Sequence, residues 1–459
     1  MTDIQKMLKP FREVCPACGK RHDIAIDRIE IGSGALRKLP AMAGELGSRP
    51  FVLADANTWE AAGRRAVSLL EEAGIPCSVY NCGQGRLRAD EQSLGRIMMH
   101  FDRSCDCILA VGSGTINDLA KLCSGISGRP YMIIGTAPSM DGFASGSSSV
   151  IRDGLKISLD SAFPAAILND IDILRMAPAP MLRAGMGDML AKYTSICEWR
   201  LSALINGEYY CPAVAGFVRD CVRRCVDHAD GLMERDPEAV QAVTEGLVLC
   251  GMAMTMAGCS RPASGMEHYF SHLWDMRAQE FGTPSDLHGV QCGTAEYYCA
   301  RIYEYILQLR PDREKAMAAA DSFDWNLWKV DLRAFLGRGA DAIIALEEKE
   351  RKYDPAAHRE RAGRILARWE EICQIIREEV PSADRIRELL EKTGAPVTWQ
   401  DQGRTPEEVR TAFYMTKDIR DKYIGSRLLW DLGLLEEAGN RLFPDERPVA
   451  YFTEPGTED

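Results

Sequence analysis

CDCILAVGSGTINDLAKLCSG, residues 105–125, is the segment most informative about the fold, because it combines an apolar run, a turn of small residues and a helical pattern. The run CDCILAVG is typical of a buried strand. Apolar positions at helical spacing then extend from Ile116 to Ser124, and Gly125 is the expected helix C-cap. The stretch therefore predicts a strand, a tight turn and a helix, which together are one repeat of a parallel sheet with crossover helices.

The turn itself has features of a phosphate-binding loop. Gly112 and Gly114 allow close approach of the backbone to a ligand, and the helix start at Thr115 and Ile116 offers free N–H groups to a pyrophosphate. The motif is neither G-x-G-x-x-G nor a P-loop, and a structural tight turn without a ligand explains it about as well. The two interpretations stay open on these residues alone.

Outward from this stretch, β-rich runs alternate with amphipathic helical segments up to about residue 171. Helical spacing is present in residues 58–73 and 89–101. We expect an α/β nucleotide-binding domain with a parallel sheet over residues 1–171. Its strand candidates are HDIAIDRIEIG (22–32), PFVLAD (50–55), PCSVYNC (76–82), CDCILAVG (105–112), PYMIIG (130–135) and AAILND (165–170).

After residue 172 the β-branched runs disappear and long helical patterns replace them. The longest cover residues 181–205, 237–258, 286–309 and 356–379. We therefore expect residues 172–459 to form an all-helical domain. Residues 310–401 are rich in Glu, Arg and Lys at mixed spacing, which is typical of solvated helix surfaces.

Composition excludes several classes of protein. The chain has 459 residues, and 55 Lys and Arg against 67 Asp and Glu give a net charge of −12, which argues against nucleic-acid binding. The longest apolar stretch, Gly246 to Gly258, is too short to cross a bilayer. The N-terminal residues lack the apolar core of a secretory signal, so we expect a cytoplasmic protein without a membrane span, whose sixteen cysteines are reduced thiols.

Histidines are concentrated in one part of the chain. Of seven, three fall within SGMEHYFSHLWDM and LHGVQCG: His268, His272 and His288. The spacing of four places His268 and His272 on one helical face, and His288 starts the next helix. A carboxylate is needed as a further ligand, and Asp188, with Lys192 one turn later, is the best candidate. We interpret the cluster as a metal site, although each histidine alone is explained by a core or surface role.

Three further segments contain polar groups with two interpretations each. GTAPSMDGFASGSSSV, with the isolated acid Asp141, suits a polar ligand or a solvent-exposed hairpin. Asp55, at the end of a strand, suits an adenosine ribose or a helix N-cap. CPACGKRH (15–22) has a partial zinc-type spacing without a second half, so a small knuckle or β-turn is the favoured interpretation.

Taken in order, GSGTINDLAK, GTAPSMDGFAS, GDMLAKYT, SGMEHYFSHLWDM and HGVQCG closely resemble the sn-glycerol-1-phosphate dehydrogenases. These enzymes belong to the superfamily of iron-containing alcohol dehydrogenases, glycerol dehydrogenases and dehydroquinate synthases. The resemblance covers about residues 29–299, and no family motif is apparent after about residue 310. It implies a Rossmann-like nucleotide-binding domain followed by an all-α, dehydroquinate synthase-like metal-binding domain.

The resemblance also implies the roles of individual residues. The metal ligands would be Asp188, His268 and His288, and the substrate contacts would come from Asp141, Asp188 and His272. The cofactor contacts would come from the strand ends and loops of the first domain: Asp55, Gly112, Gly114, Thr115, Ile116, Asn117, Asp118, Thr136, Ala137, Pro138, Ser139 and Ser145.

The implied reaction is the reversible reduction of dihydroxyacetone phosphate to sn-glycerol 1-phosphate. Its cofactors would be NAD(H) or NADP(H) and one divalent ion, with zinc, nickel and iron all compatible with the ligands. A dehydrogenase for an unphosphorylated polyol such as glycerol and a non-catalytic cofactor-binding homologue remain alternatives. Lys192 and Arg183 are the candidates for binding a phosphate. The oligomeric state is left open, a homo-oligomer included.

Overall fold

A computed structural model describes residues 3–26, 28–85, 87–153 and 155–444. The strands of these residues are β1 (Arg28–Gly32), β2 (Pro50–Ala54), β3 (Ser78–Asn81), β4 (Cys107–Gly112), β5 (Tyr131–Gly135), β6 (Ser147–Arg152), β7 (Leu155–Asp160) and β8 (Ala166–Asp170). Six of them form a parallel sheet in the order β1-β8-β5-β4-β2-β3, and β6 and β7 form an antiparallel hairpin.

The central strands of the sheet are buried on both faces. Every residue of β2, β4, β5 and β8 is buried, as expected for continuous apolar runs between two layers of helices. One of these layers packs Val52, Leu109 and Ile134 of the sheet against Met42 and Leu70 of the neighbouring helices. Each of the six predicted strand segments contains one strand of this sheet, which confirms the expected α/β class.

Only helices and their connections follow β8 in the described chain. The α-helices of the described residues are Asp3–Leu8, Leu39–Leu46, Ala56–Thr58, Arg64–Glu72, Glu91–His100, Gly114–Ser127, Ile171–Leu174, Ala179–Leu190, Lys192–Asn206, Pro212–Asp227, Ala229–Leu232, Pro237–Ala257, Met266–Phe281, His288–Ile306, Arg313–Ala319, Trp325–Leu336, Ala340–Glu350, Pro355–Ala367, Trp369–Glu379, Ala383–Lys392, Pro406–Thr416, Gly425–Asp431 and Leu435–Leu442.

Two predicted helix boundaries were wrong. The helix after β4 does not end at Gly125 but continues to Ser127, and Gly128 is its C-cap with φ of 67°. A left-handed residue at this position is the usual way to end a helix, and Gly125 lies within the helix instead. The pattern over residues 356–379 is two helices, because Arg368 has non-helical backbone angles that separate Pro355–Ala367 from Trp369–Glu379.

The chain divides into two compact units. The first comprises residues up to Met189 together with Cys211–Ala263, and the second comprises Leu190–Tyr210 and the residues from Ser264 onward. The change from α/β to helical structure follows β8, close to the predicted domain boundary at 171/172. The two compact units, however, do not coincide with the predicted domains 1–171 and 172–459. The reason is that the helices Pro212–Asp227 and Pro237–Ala257 pack within the first unit. Residues 445–459 of the predicted helical domain lie outside the described residues.

One helix of the described chain, Pro237–Ala257, is long and apolar enough to cross a membrane. Its most apolar window is 83% buried within the protein, which is typical of a core helix. All sixteen cysteines lie in described residues, and none forms a disulfide. Most are buried, in agreement with the prediction of reduced core thiols.

Candidate active site

One group of predicted site residues lies at the carboxyl edge of the sheet in the first unit. β2, β4 and β5 are neighbours and parallel, so the residues that follow them, Asp55, Ser113 and Thr136, share one edge. The Thr136 N–H donates to the carbonyl of Gly112 at 3.1 Å, and the Ser113 and Ser139 hydroxyls are 2.7 Å apart. The turn after β4 and the loop after β5 are therefore joined directly.

Packing requires a glycine at the first position of this turn. A Cβ at Gly112 would lie 2.4 Å from the Cβ of Ile116, which is shorter than real Cβ contacts, so a side chain there would push the strand away from its own helix. A Cβ at Gly114 would lie 2.8 Å from Cε of Met140, the end of a flexible side chain that can move aside. The tight-turn interpretation of Gly112 thus holds whether or not a ligand binds.

A buried lysine supports the next part of the loop. Lys121, in the helix Gly114–Ser127, donates from Nζ to the carbonyl of Gly142 at 2.7 Å, the hydroxyl of Ser145 at 3.0 Å and the carbonyl of Ser147 at 2.8 Å. Burial lowers the pKa of Lys121 to about 8 and raises the pKa of Asp118, 4.0 Å away, to about 6. The lysine therefore holds Ser145 and its neighbours in one conformation.

The loop also contacts the carboxylate of Asp188. The backbone N–H of Asp141 donates to Asp188 Oδ2 at 2.8 Å, and both side chains are buried in the first unit. Close approach of two helices holds the loop there, since a Cβ at Gly185 would lie 2.0 Å from the carbonyl oxygen of Pro138 and one at Gly251 would lie 2.4 Å from that of Asp141. The two predicted substrate-contacting acids of this unit are thus neighbours.

Asp55 has a structural role at the end of β2. Its Oδ1 accepts a hydrogen bond from the Thr58 N–H at 2.8 Å, and its own N–H donates to the Thr58 hydroxyl at 3.0 Å, which together form a capping box. The N-cap interpretation of Asp55 is therefore confirmed. Its contact with an adenosine ribose stays a prediction.

Another group of predicted site residues is a cluster of three histidines in the second unit. Ring centroids of His268 and His288 are 5.0 Å apart, those of His272 and His288 5.8 Å, and those of His268 and His272 6.3 Å. The helix Met266–Phe281 carries His268 and His272 one turn apart, and His288 is the first residue of the next helix. The predicted juxtaposition of these three side chains is present.

Hydrogen bonds orient the rings of His268 and His288. His268 Nδ1 lies 2.8 Å from Oε1 of Glu267, so Nδ1–H donates to the carboxylate and the lone pair of the ring is on Nε2. Burial raises the pKa of Glu267 to about 7, partly offset by the Gly265 N–H, which donates to the same oxygen. His288 Nδ1 lies 3.0 Å from the hydroxyl of Ser271. A histidine that is fixed through Nδ1 in this way is the usual form of a metal ligand.

Comparison with known proteins identifies the family. Residues 30–178 match the profile of the family described as iron-containing alcohol dehydrogenase. A protein of Halalkalibacterium halodurans named glycerol-1-phosphate dehydrogenase (NAD(P)+) is 33% identical over 408 residues, which cover 87% of this chain and 91% of the relative. This chain belongs to the glycerol-1-phosphate dehydrogenase family.

A second family member, from Bacillus licheniformis, is 29% identical over 439 residues, covering 95% of this chain and 96% of the relative. Most of the region after residue 310 therefore aligns with the glycerol-1-phosphate dehydrogenase family, although no motif of that region was apparent in the sequence. Among solved structures, glycerol dehydrogenase from Schizosaccharomyces pombe has a TM-score of 0.56 at 16% identity, covering 92% of this chain and 93% of that one. That similarity shows a shared fold.

Within this glycerol-1-phosphate dehydrogenase family member, sequence reasoning missed three polar neighbours of the predicted residues. Lys121 belongs to the motif GSGTINDLAK, and a cation between the apolar residues Ala120 and Leu122 was the available signal. Glu267 directly precedes His268, and an acid next to a candidate ligand histidine is a signal for its hydrogen-bond partner. Cys292, whose Sγ is 3.7 Å from His288 Nε2, had no signal beyond its place one turn after His288.

The two basic candidates for phosphate binding differ in exposure. Lys192 is buried in the second unit, where its charge lowers the pKa of Glu267, whereas Arg183 is half-buried in the first unit. The predicted cofactor contacts of the turn and the loop lie together at the sheet edge. Their binding roles, and the sharing of one metal ion by Asp188, His268 and His288, remain predictions.

Proposed function

We propose that this protein catalyses the reversible reduction of dihydroxyacetone phosphate to sn-glycerol 1-phosphate with NADH or NADPH. The observation that carries the proposal is the match to proteins of that name over nearly the whole chain. The oriented histidine cluster and the small-residue turn at the sheet edge are the local features that support it.

The first unit would bind the dinucleotide along the sheet edge. The turn residues 112–118 would present backbone N–H groups and the helix N-terminus to the pyrophosphate. The loop Thr136–Ser139 and Ser145 would contact the remainder of the cofactor, and Lys121 would keep that loop in place through its three hydrogen bonds. The cofactor supplies the hydride, so these residues act by orienting its nicotinamide toward the substrate.

Asp188, His268 and His288 would hold one divalent ion, and the donor set fits such an ion. His268 presents a lone pair at Nε2 because Glu267 accepts its Nδ1 proton, and Asp188 supplies a buried carboxylate. When bound, the ion would polarise the C2 oxygen of the substrate as a Lewis acid. Zinc, nickel and iron all suit these ligands.

His272 and Asp141 would act on the substrate itself. His272 is half-buried beside the other two histidines and would position the substrate or relay a proton to its C2 oxygen. Asp141 would accept hydrogen bonds from substrate hydroxyls. Lys192 and Arg183 are the proposed sources of positive charge for the phosphate, which must be local because the net charge of the chain is −12.

The decisive experiment compares dihydroxyacetone phosphate with dihydroxyacetone, using NADH and then NADPH in the presence of added metal. A site built for a phosphate leaves its donors unpaired with the smaller ketone, so we expect kcat/KM to favour the phosphorylated substrate by about a thousandfold or more. Equal efficiency, or preference for the unphosphorylated ketone, would instead support a polyol dehydrogenase. No turnover of either ketone would support a non-catalytic homologue.

A cytoplasmic location is the remaining part of the proposal. Sixteen cysteines without a disulfide fit a reducing compartment. Light scattering coupled to size-exclusion chromatography measures whether the protein is a monomer or a homo-oligomer.

A further inference from the structure

Four metal-binding side chains of the first unit converge at a place remote in sequence from the residues of the proposed reaction. Cys15, Cys18 and His22 belong to CPACGKRH, and the fourth member is Cys211, the residue before the helix Pro212–Asp227. Their ligand atoms all lie within 4.8 Å of one another. Cys15, His22 and Cys211 are buried, and Cys18 is half-buried.

The distances between these atoms match a tetrahedral zinc ion. Zn–S bonds of about 2.3 Å and Zn–N bonds of about 2.0–2.1 Å place two sulfurs about 3.8 Å apart and a sulfur and a nitrogen about 3.5 Å apart in a tetrahedron. Cys15 Sγ and Cys211 Sγ are 3.8 Å apart. His22 Nε2 lies 3.6 Å from Cys18 Sγ and 3.5 Å from Cys211 Sγ. The sulfur separation is far longer than the about 2.05 Å of a disulfide.

The backbone around Cys15 has the shape of a metal-binding knuckle. The Gly19 N–H donates to the carbonyl of Cys15 at 2.8 Å, and the Cys15 N–H donates to the carbonyl of Lys20 at 2.9 Å. Gly19 has φ of 72°, which a residue with a side chain rarely adopts, and Val14 pairs with Arg21 across the turn. This turn places the sulfurs of Cys15 and Cys18 on one side.

The histidine of the cluster is oriented for coordination through Nε2. Its Nδ1 lies 2.7 Å from the carbonyl oxygen of Met256, near the end of the helix Pro237–Ala257. A carbonyl only accepts, so Nδ1 carries the proton and the lone pair is on Nε2, the atom that faces the sulfurs of Cys18 and Cys211. Phe11, with its ring centroid 5.7 Å from that of His22, packs against this histidine.

We propose that Cys15, Cys18, His22 and Cys211 bind one structural zinc ion. Three thiolates and one imidazole form a Cys3His site, and soft sulfur donors in tetrahedral geometry select zinc. All four positions are taken by protein groups, so no position is open for a substrate, and the ion is structural. The ion joins the N-terminal knuckle to the start of the helix Pro212–Asp227. Two of its ligands, His22 and Cys211, are 189 positions apart in the sequence.

The zinc content of the purified protein tests the site. It is measured by elemental mass spectrometry in the unmodified chain and in the variants Cys18→Ser and Cys211→Ser. Each variant is expected to lose one zinc per chain, while the matched variant Cys82→Ser, at a half-buried cysteine outside the cluster, loses none. Full zinc retention in both cluster variants would overturn the proposal. Because the experiment counts zinc and not turnover, its outcome is separate from that of the proposed reaction.

A second measurement on the unmodified chain covers the case in which the variants do not fold. X-ray absorption at the zinc edge is expected to show zinc bound to sulfur, and addition of an organomercurial reagent is expected to release one zinc per chain. Absence of zinc–sulfur scattering, or a disulfide between cluster cysteines in freshly purified protein, would overturn the proposal.

Discussion

His268 has one ring nitrogen engaged by a neighbouring carboxylate, and this determines what its other nitrogen can do. With Nδ1–H donated to Glu267, the Nε2 lone pair is available to a cation. His288, held by Ser271, and His268 have ring centroids 5.0 Å apart. At the scale of single residues, the site therefore depends on the hydrogen-bond partners of the histidines as well as on the histidines themselves.

Replacement of a proposed ligand should remove the metal of this site. His268→Ala and His288→Ala each leave two protein ligands, too few for a labile divalent ion. The metal bound in excess of the structural zinc proposed at Cys15, Cys18, His22 and Cys211 should therefore fall more than about tenfold, and so should turnover. Metal analysis and an activity assay measure the two effects. His228→Ala, at an exposed histidine, is the control and should change neither. Full metal and full rate in either ligand variant would refute the assignment.

His272 is expected to behave differently from its two neighbours. If His272 contacts substrate and not metal, His272→Ala should keep the metal. Loss of a proton-transfer group should lower kcat about 10²–10⁴-fold, whereas loss of a group that only positions the substrate should raise KM. Metal analysis beside steady-state kinetics separates the outcomes. Metal loss as large as that of His268→Ala would make His272 a ligand.

Glu267 should act through His268. Glu267→Ala removes the acceptor of the Nδ1 proton and should weaken metal binding about 10–100-fold, whereas Glu267→Gln keeps an acceptor oxygen and should lose less. Equilibrium titration of the metal-free variants with the metal measures these affinities. Equal affinity in all three proteins would show that the carboxylate does not orient the ring.

At the scale of elements, the loop after β5 is held by the close approach of two helices and by Lys121. The helix Ala179–Leu190 comes near enough to Pro138 that only glycine fits at position 185. The helix Gly114–Ser127 carries Lys121, whose Nζ donates three hydrogen bonds to residues of the loop. The conformation of this loop is therefore set by packing that exists before any ligand binds.

Gly185→Ala tests this packing. The new Cβ would lie 2.0 Å from a backbone oxygen, so the helix or the loop must shift, and we expect a loss of about 1–3 kcal/mol in unfolding free energy together with weaker cofactor binding. Gly216→Ala is the matched control, because nothing lies within 4 Å of its Cβ in the helix Pro212–Asp227. That substitution should stabilise by about 0.5–1 kcal/mol. Urea unfolding measures the unfolding free energy of both variants, and cofactor titration measures their affinity for the cofactor.

At the scale of the whole molecule, buried acids in both units influence how stability depends on pH. Burial raises the pKa of Asp118 to about 6, that of Asp331 to about 6 and that of Glu347 to about 7. Through these three groups, folded protein binds more protons than unfolded protein between about pH 4 and pH 7, so they lower stability as pH rises through this window. The net charge of −12 adds self-repulsion in the same direction. His358, whose pKa burial lowers, acts in the opposite direction.

We expect the unfolding midpoint to be higher near pH 6 than at pH 8, measured by thermal unfolding in matched buffers. Asp331→Asn should reduce this difference, because Oδ2 of Asp331 is buried and has no hydrogen-bond partner among the described residues, so its charge is not compensated. The unfolding midpoint of Asp331→Asn should be higher than that of the unmodified chain at pH 8, and this difference should vanish near pH 4. A constant gain at all pH values would show that ionisation of Asp331 is not its cause.

Much of the fold and part of the site were predictable from local pattern. Each strand of the parallel sheet lies within a predicted apolar run, and the three histidines that share a short stretch are neighbours in space. The ends of helices were less predictable, as Gly125 and Gly128 show, because both glycines are compatible with a C-cap and only backbone geometry selects one. Lys121 was missed because burial of a cation depends on acceptors 21 to 26 residues away.

The types of element, their order and the family could be inferred from the amino-acid sequence, because hydrophobic periodicity and short motifs are local properties of the chain. The meeting of residues that are distant in sequence could be read only from the folded chain. The tertiary structure set the strand order β1-β8-β5-β4-β2-β3, joined Asp141 to Asp188, and brought Cys211 to CPACGKRH across 189 residues. Such contacts depend on the path of the whole backbone and on the packing of its helices, which no spacing within a motif encodes.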